Sequence, residues 1–229
     1  MTAEDVEMLI ECFVGDIVKI QELGFDGVEL HGAHGYLIDN FFWEGTNQRA
    51  DSFGGSIDKR TAFACEIVKR ARAKVGTDFP IAIRFSQWKQ QDFDAKLAYT
   101  EEDLKTFLMP LVDAGIDMFH ASNRRYWEPE FEGSNLNLAG WTKKLTGLPT
   151  ITVGSVGLKS DFIGLYAGED AVESQSIDDL VKRMEADEFD MVAIGRALLS
   201  DPEWVKKVKA GDFEEIIPFE KKYAREVYF

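Results

Sequence analysis

Residues 24–32 read GFDGVELHG, and the pattern returns at 114–122 as AGIDMFHAS and at 188–196 as EFDMVAIGR. In each, an aspartate stands one or two residues before a short apolar run, and small or polar residues follow it. One further apolar run lies in each gap, Ile81-Ala82-Ile83-Arg84-Phe85 and Thr150-Ile151-Thr152-Val153-Gly154. The mean unit is therefore roughly 35–45 residues, the period of repeated βα units. Five strands are predicted, near residues 27–30, 81–86, 118–122, 150–154 and 191–195. Their continuous apolar character, broken by helical stretches, means a parallel sheet covered by helices. A complete eight-stranded βα barrel takes about 250 residues. The strand count here falls three short of it, and the α/β pattern leaves either a doubly wound sheet or a barrel.

Working outward, Thr2 reads as the cap of a first helix with Glu4 and Asp5 in its first turn. That helix runs to about Glu22 with Leu9, Ile10, Phe13, Ile17 and Ile20 on one face, and Gly24 stops it. His31 to Gly55 is polar and glycine-rich and reads as a long loop. Ser56 caps a second helix through Lys74, with Gly76 after it. Further helices are predicted from Thr100 to about Ala114, near residues 177–186, and from Pro202 to about Ala210. The whole chain, 1–229, reads as one domain.

The net charge of −15 argues against nucleic-acid or anionic-membrane partners, which need clustered lysine and arginine. It also gives weight to any arginine placed in a pocket. Cys12 and Cys65 each sit in a helical segment with no CxxC spacing, so both are expected to be small buried hydrophobes in a reducing cytoplasm. The N-terminus MTAEDVEM has neither a basic nor an apolar signal region, and no apolar run approaches the ~18 residues of a membrane span. A cytoplasmic location is expected.

In parallel α/β proteins function gathers beyond the C-terminal ends of the strands. Those positions hold His31, His34 and Tyr36, then Arg84, then His120 with Ser122, then Gly154-Ser155, and finally Gly195-Arg196. The last two pairs follow the strands whose loops commonly bind phosphate, where glycine admits an anion to the backbone and arginine adds a forked donor. The competing account is a pair of tight turns with a solvated arginine.

His31 and His34 stand three apart in HGAHGY. A zinc site lacks an obvious third ligand, and no metal is expected. A structural histidine pair is one reading; two neutral donors converging on an oxygen that gains negative charge is the other. Tyr36 is either a proton donor or an ordinary half-buried tyrosine. Arg84 needs an anion or an acceptor, and Glu29 is the structural candidate. His120 reads as a core histidine bonded to backbone. Asn47, Arg49, Asp51 and Arg60 are expected to brace their loop.

The stretch GFDGVELHGAHGYLIDNFFWEGTNQRADSFGGSIDKR, followed by IAIRFS, ITVGSVG and MVAIGRALLSDPEW, resembles the old yellow enzyme family of flavin mononucleotide oxidoreductases. The resemblance runs over essentially the whole chain. It implies FMN and NAD(P)H as cofactors and a small-molecule substrate: NAD(P)H reduces the flavin, which then reduces an activated alkene such as an enone or nitroalkene. It implies that His31 and His34 bind the substrate's carbonyl or nitro oxygen and that Tyr36 protonates the substrate carbon. Arg84 would face the flavin pyrimidine edge, and Gly154, Ser155, Gly195 and Arg196 its phosphate. Trp127, in RRYWEPEFEGS, would shape the substrate pocket. Family members begin with about three more βα units, so the fold class implied is α/β, a partial (β/α)8 TIM barrel of about five units, with the chain its C-terminal portion, completed by that segment or by oligomerisation. The alternative is a non-catalytic partial barrel that folds without flavin.

Overall fold

A computed structural model describes residues 1–163 and 171–226. The first helix, α1 (Ala3–Glu22), starts at a reciprocal cap: the Asp5 N–H donates to Thr2 Oγ1 (3.1 Å), and the Thr2 N–H donates to Asp5 Oδ2 (2.7 Å). Its buried face is Val6, Ile10, Val14 and Ile17, with Leu9, Phe13 and Ile20 only partly covered. This stripe is rotated from the one predicted, and it turns Cys12 to solvent, correcting the expectation that it is buried. Cys65 is buried, its thiol against the Pro110 carbonyl.

After β1 (Val28–His34), the stretch predicted as one loop contains α2 (Leu37–Phe42). The predicted helix beyond Ser56 is divided into α3 (Ile57–Arg60) and α4 (Ala62–Val75). Asn47 and Arg60 brace the intervening loop from inside. Asn47 Nδ2 donates to the Phe41 and Phe53 carbonyls, and Arg60 to those of Phe42 and Gly55. Then follow β2 (Ile81–Lys89), α5 (Glu101–Ala114), β3 (Met118–Ser122), α6 (Leu138–Thr146) and β4 (Thr150–Val153). The remainder is β5 (Ala171–Val172), α7 (Asp178–Glu185), β6 (Met191–Ala193), α8 (Arg196–Ser200), α9 (Trp204–Ala210), β7 (Phe219–Glu220) and α10 (Lys221–Glu226).

Five strands form one parallel sheet in the order β1-β2-β3-β4-β6, as a run of right-handed βα units requires. β5 and β7 pair separately and antiparallel; at two residues each they leave no readable pattern in the sequence. With helices banking one side of it, this sheet is a partial (β/α)8 barrel.

The recurring aspartates have a shared task. Asp117 Oδ2 accepts from the Ile81 N–H (2.7 Å) and from Arg72 of α4 (2.5 Å), and the Asp117 N–H donates back to the Ile81 carbonyl (3.0 Å). Asp190 repeats this two units on, accepting from the Thr150 N–H (2.8 Å) and Lys143 of α6 (2.9 Å) and donating to the Thr150 carbonyl (2.9 Å). Each latch sets one strand's start against its neighbour's and ties in the helix that leads into the earlier strand.

Strand side chains alternate. Leu30, Ile81, Ile83, Phe85, Phe119 and Ala121 turn to the helices and join the main core with Phe63, Phe107 and Leu111. The opposite, concave face carries the register row His31, Arg84, His120, Ile151 and Met191.

Candidate functional site

β1 runs further than predicted and shifts register between Gly32 and His34, so that His34 (φ +63°) and Gly35 (φ +80°) both take left-handed backbone. Left-handed geometry at a histidine has to be held from outside. The His34 N–H donates to Ser86 Oγ (2.9 Å) and the Gly35 N–H to Asp39 Oδ2 (2.7 Å). Asp39 in turn pairs with Lys89 Nζ at 2.7 Å, and Lys89 also donates to the Ser86 carbonyl (2.9 Å); both side chains are wholly buried. Burial pushes the Asp39 carboxyl up and the Lys89 ammonium down from their ordinary values, and their mutual attraction opposes both shifts. Neither residue was singled out from sequence, because the β2 signal fades after Phe85 while the strand itself continues to Lys89.

The His34 ring is stacked on Trp88 (4.3 Å between centroids, 19°) and edge-on to His31 (5.3 Å). Its Nε2 lies 2.8 Å from Ser122 Oγ, and that oxygen accepts from Arg84 Nη2 at 3.0 Å. Burial, and then the Arg84 charge, push the His34 imidazole down to about 3, and the same two causes lower His31. At neutral pH both rings are uncharged, each with one N–H to give. Tyr36 is half exposed with its ring 5.0 Å from that of His31.

Arg84 does not pair with Glu29. That carboxylate is bonded to His120 Nδ1 (2.9 Å), which also corrects the expectation that His120 bonds to backbone. Burial raises the Glu29 carboxyl, but the contact with His120 together with the nearby Arg84 and His31 outweighs it, and the net shift is downward. Arg84 is left with a buried Nε that has no hydrogen-bond partner among the described residues.

Beyond the strand ends lies a cavity of about 370 Å³ whose lining includes His34, Arg84, Gly154, Ser155, Gly195 and Arg196. Gly154 has φ +129°, and a Cβ there would come within 2.6 Å of the Asn123 carbonyl oxygen, so only glycine fits. Ser155 Oγ donates to the Arg124 carbonyl (3.0 Å) and accepts from Arg196 Nη2 (3.1 Å), which also reaches the Ser160 carbonyl (2.9 Å). Among the described residues, no aspartate or glutamate lines this cavity, although the chain carries 41 of them. His31 and Tyr36 border it through the His34 ring rather than lining it, and Trp127 stands apart, edge-on to Tyr126 at 5.2 Å. Among the described residues, no three His, Cys, Asp or Glu side chains cluster to hold a metal.

Compared with known proteins, residues 1–215 match the model of the NADH:flavin oxidoreductase / NADH oxidase family. The chain belongs to this family. Among relatives of the NADH:flavin oxidoreductases, an NADH oxidase of Thermoanaerobacter brockii is 37% identical over 94% of this chain and 31% of its own length. A cinnamate reductase of Clostridium sporogenes is 30% identical, with coverage of 95% and 33%. The flavin oxidoreductase YqiG of Bacillus subtilis, described as probable and NADH-dependent, is 33% identical, with coverage of 94% and 54%. The chain thus spans between about a third and a half of the relatives it matches. In fold, it superposes on the old yellow enzyme homologue of Zymomonas mobilis with a TM-score of 0.70, over 96% of this chain and 55% of that one, at 19% identity.

Proposed function

We propose that this chain is the part of an FMN-dependent oxidoreductase that holds the flavin phosphate and the substrate oxygen, and that the enzyme reduces activated alkenes with NAD(P)H. The observation that carries this reading is the neutral His34, fixed by Ser122 and Arg84, at the rim of a cavity lined by arginines and, among the described residues, by no carboxylate.

Flavin mononucleotide suits the residues present. The Gly154 backbone leaves the open approach a phosphate needs, Ser155 and Arg196 lie beside it, and the unpartnered Arg84 Nε supplies a donor for a ring oxygen or nitrogen. When bound, the flavin would accept hydride from NAD(P)H and deliver it to the alkene. The protein's own share is electrostatic and positional. Neutral His31 and His34 donate N–H bonds to the substrate's carbonyl or nitro oxygen, stabilising the charge that develops there. Tyr36 gives its phenolic proton to the substrate carbon that did not receive hydride. Trp127 is assigned to the outer wall of the substrate pocket. Reduced thiols and a supply of NAD(P)H suit a cytoplasmic setting.

A second reading is favoured by the sheet itself. β1 and β6 end its order and have no strand partner on their outer edges among the described residues. A partial barrel of this kind acts only when a further segment, or a second copy, covers those edges.

The test is a visible absorption spectrum of the purified chain after addition of FMN and desalting. A retained flavin band supports the first reading, and NADH oxidation with 2-cyclohexenone as acceptor then tests turnover. A colourless protein would remove the claim for this chain alone and leave the second reading.

A further inference from the structure

Ser122 is the last residue of β3 and only 2% exposed, and three groups of the candidate site meet on it. Its carbonyl accepts from Trp88 Nε1 (3.1 Å), the indole on which the His34 ring is stacked. Its hydroxyl oxygen accepts from Arg84 Nη2 (3.0 Å) and lies 2.8 Å from His34 Nε2. The first two bonds hold Trp88 and Arg84 in place. The third decides where a proton sits.

A hydroxyl has one hydrogen to give and two lone pairs, whereas a guanidinium can only give. The Arg84 bond therefore occupies a lone pair of Ser122 Oγ and leaves the hydroxyl hydrogen uncommitted. A buried donor left without an acceptor is costly. Among the described residues, the one acceptor within hydrogen-bond distance of Ser122 Oγ is His34 Nε2. An uncharged imidazole has one bare nitrogen and one N–H. With Nε2 bare, the Ser122 hydroxyl donates to it and the whole group is satisfied. With Nε2 protonated, histidine and arginine would both aim hydrogens at one oxygen, and that oxygen's own hydrogen would have nowhere to go. His34 Nδ1 has no hydrogen-bond partner among the described residues, and the ring lines the 370 Å³ cavity.

We propose that Ser122 is a positioning residue that sets the His34 tautomer: its hydroxyl donates to Nε2, so the ring proton sits on Nδ1 and Nδ1–H is the donor offered to the substrate oxygen. The destination of that donor rests on the alkene-reductase reading; the tautomer does not. The arrangement is also a relay of polarisation. The Arg84 guanidinium polarises the hydroxyl, the hydroxyl bonds the imidazole, and the imidazole gives its remaining N–H as a stronger donor. The positive charge of Arg84 is thereby felt at an oxygen gaining negative charge, without Arg84 having to reach it.

The test is a nitrogen-15 spectrum of the histidine rings in the full chain, at neutral pH and without flavin or substrate. Protonated and bare ring nitrogens have widely separated shifts, and couplings to the carbon-bound ring protons tell Nδ1 from Nε2. His34→Gln assigns the signals among the three histidines. Wild type is expected to show His34 in the Nδ1–H form. Ser122→Ala should shift it toward the Nε2–H form that a free imidazole prefers, and Ser122→Thr, which keeps the hydroxyl, should retain Nδ1–H. An Nε2–H ring in the wild type overturns the proposal without needing any variant to fold, and so does a Ser122→Ala protein whose His34 stays Nδ1–H. In the FMN-loaded protein, Ser122→Ala should lower kcat/KM for 2-cyclohexenone by roughly 10- to 100-fold. A tautomer that switches with kcat/KM unchanged overturns the link to the substrate oxygen. Failure of the wild type to retain flavin counts against the alkene-reductase reading alone, because the tautomer is read in its absence.

Discussion

Acidification should weaken this protein through His34. Its imidazole titrates near 3 in the folded chain against an ordinary value of 6.5, so between those values the unfolded chain binds a proton that the folded one refuses. Stability is complete above about pH 6.5 and is lost as the pH falls toward 3, with a slope of at most ~1.4 kcal/mol per pH unit. Urea unfolding of wild type and His34→Gln across that window checks it: the variant should show the shallower slope, and equal slopes would mean the ring titrates as a free histidine. Gly154 offers a second test at this scale. Alanine there must accept a left-handed backbone and push its Cβ against the Asn123 carbonyl. Gly154→Ala should cost roughly 1–3 kcal/mol of stability and weaken FMN binding. A variant as stable as wild type would show that the loop relaxes freely. That His34, Arg84, Gly154, Ser155, Gly195 and Arg196 gather at one cavity was legible, because histidine, arginine and glycine at strand ends carry their chemistry in their identity. Trp88 was not, since an aromatic residue reads equally well as core until its ring is seen lying on His34.

At the level of elements, the turn after β1 depends on a pair that no local pattern announced. Lys89 and Asp39 are fifty residues apart and wholly buried, and together they hold Gly35 and Ser86 in place around His34. Lys89→Met leaves Asp39 charged and unpaired, and is expected to cost roughly 3–5 kcal/mol. Replacing both, as Lys89→Met with Asp39→Leu, should recover much of that stability but not the turn, so FMN-dependent turnover would stay low. Chemical denaturation of the three proteins decides this, and a neutral single variant would rule out the bracing role. The strands themselves were readable because each is short, apolar and preceded by aspartate, and the latches of Asp117 and Asp190 explain why that residue recurs. Strand ends were less readable. β1 and β2 extend past their apolar runs into polar residues that are bonded to one another rather than to solvent. The α1 face was misjudged for a related reason: Val6 and Val14 compete with Leu9 and Phe13 for the core, and packing against α4, not periodicity, decides between them.

For the molecule as a whole, ligand binding should show as stability. FMN at ~100 times its dissociation constant adds about 2.7 kcal/mol, which for a domain of this size raises the melting temperature by roughly 5–10 °C. Riboflavin, lacking the phosphate, should raise it much less. Thermal melts with each ligand read this directly, and equal shifts would remove Ser155 and Arg196 from the phosphate's side. The aspartate latches also have a consequence for how such a chain is built. Each joins a strand only to its immediate neighbour and to the helix that leads into the earlier of the two, so alignment is inherited stepwise and no unit needs a distant one to find its place. Asp26 stands at the matching position of β1, facing solvent. An architecture keyed in this way tolerates duplication and recombination at unit boundaries, because every excised piece carries its own joinery with it.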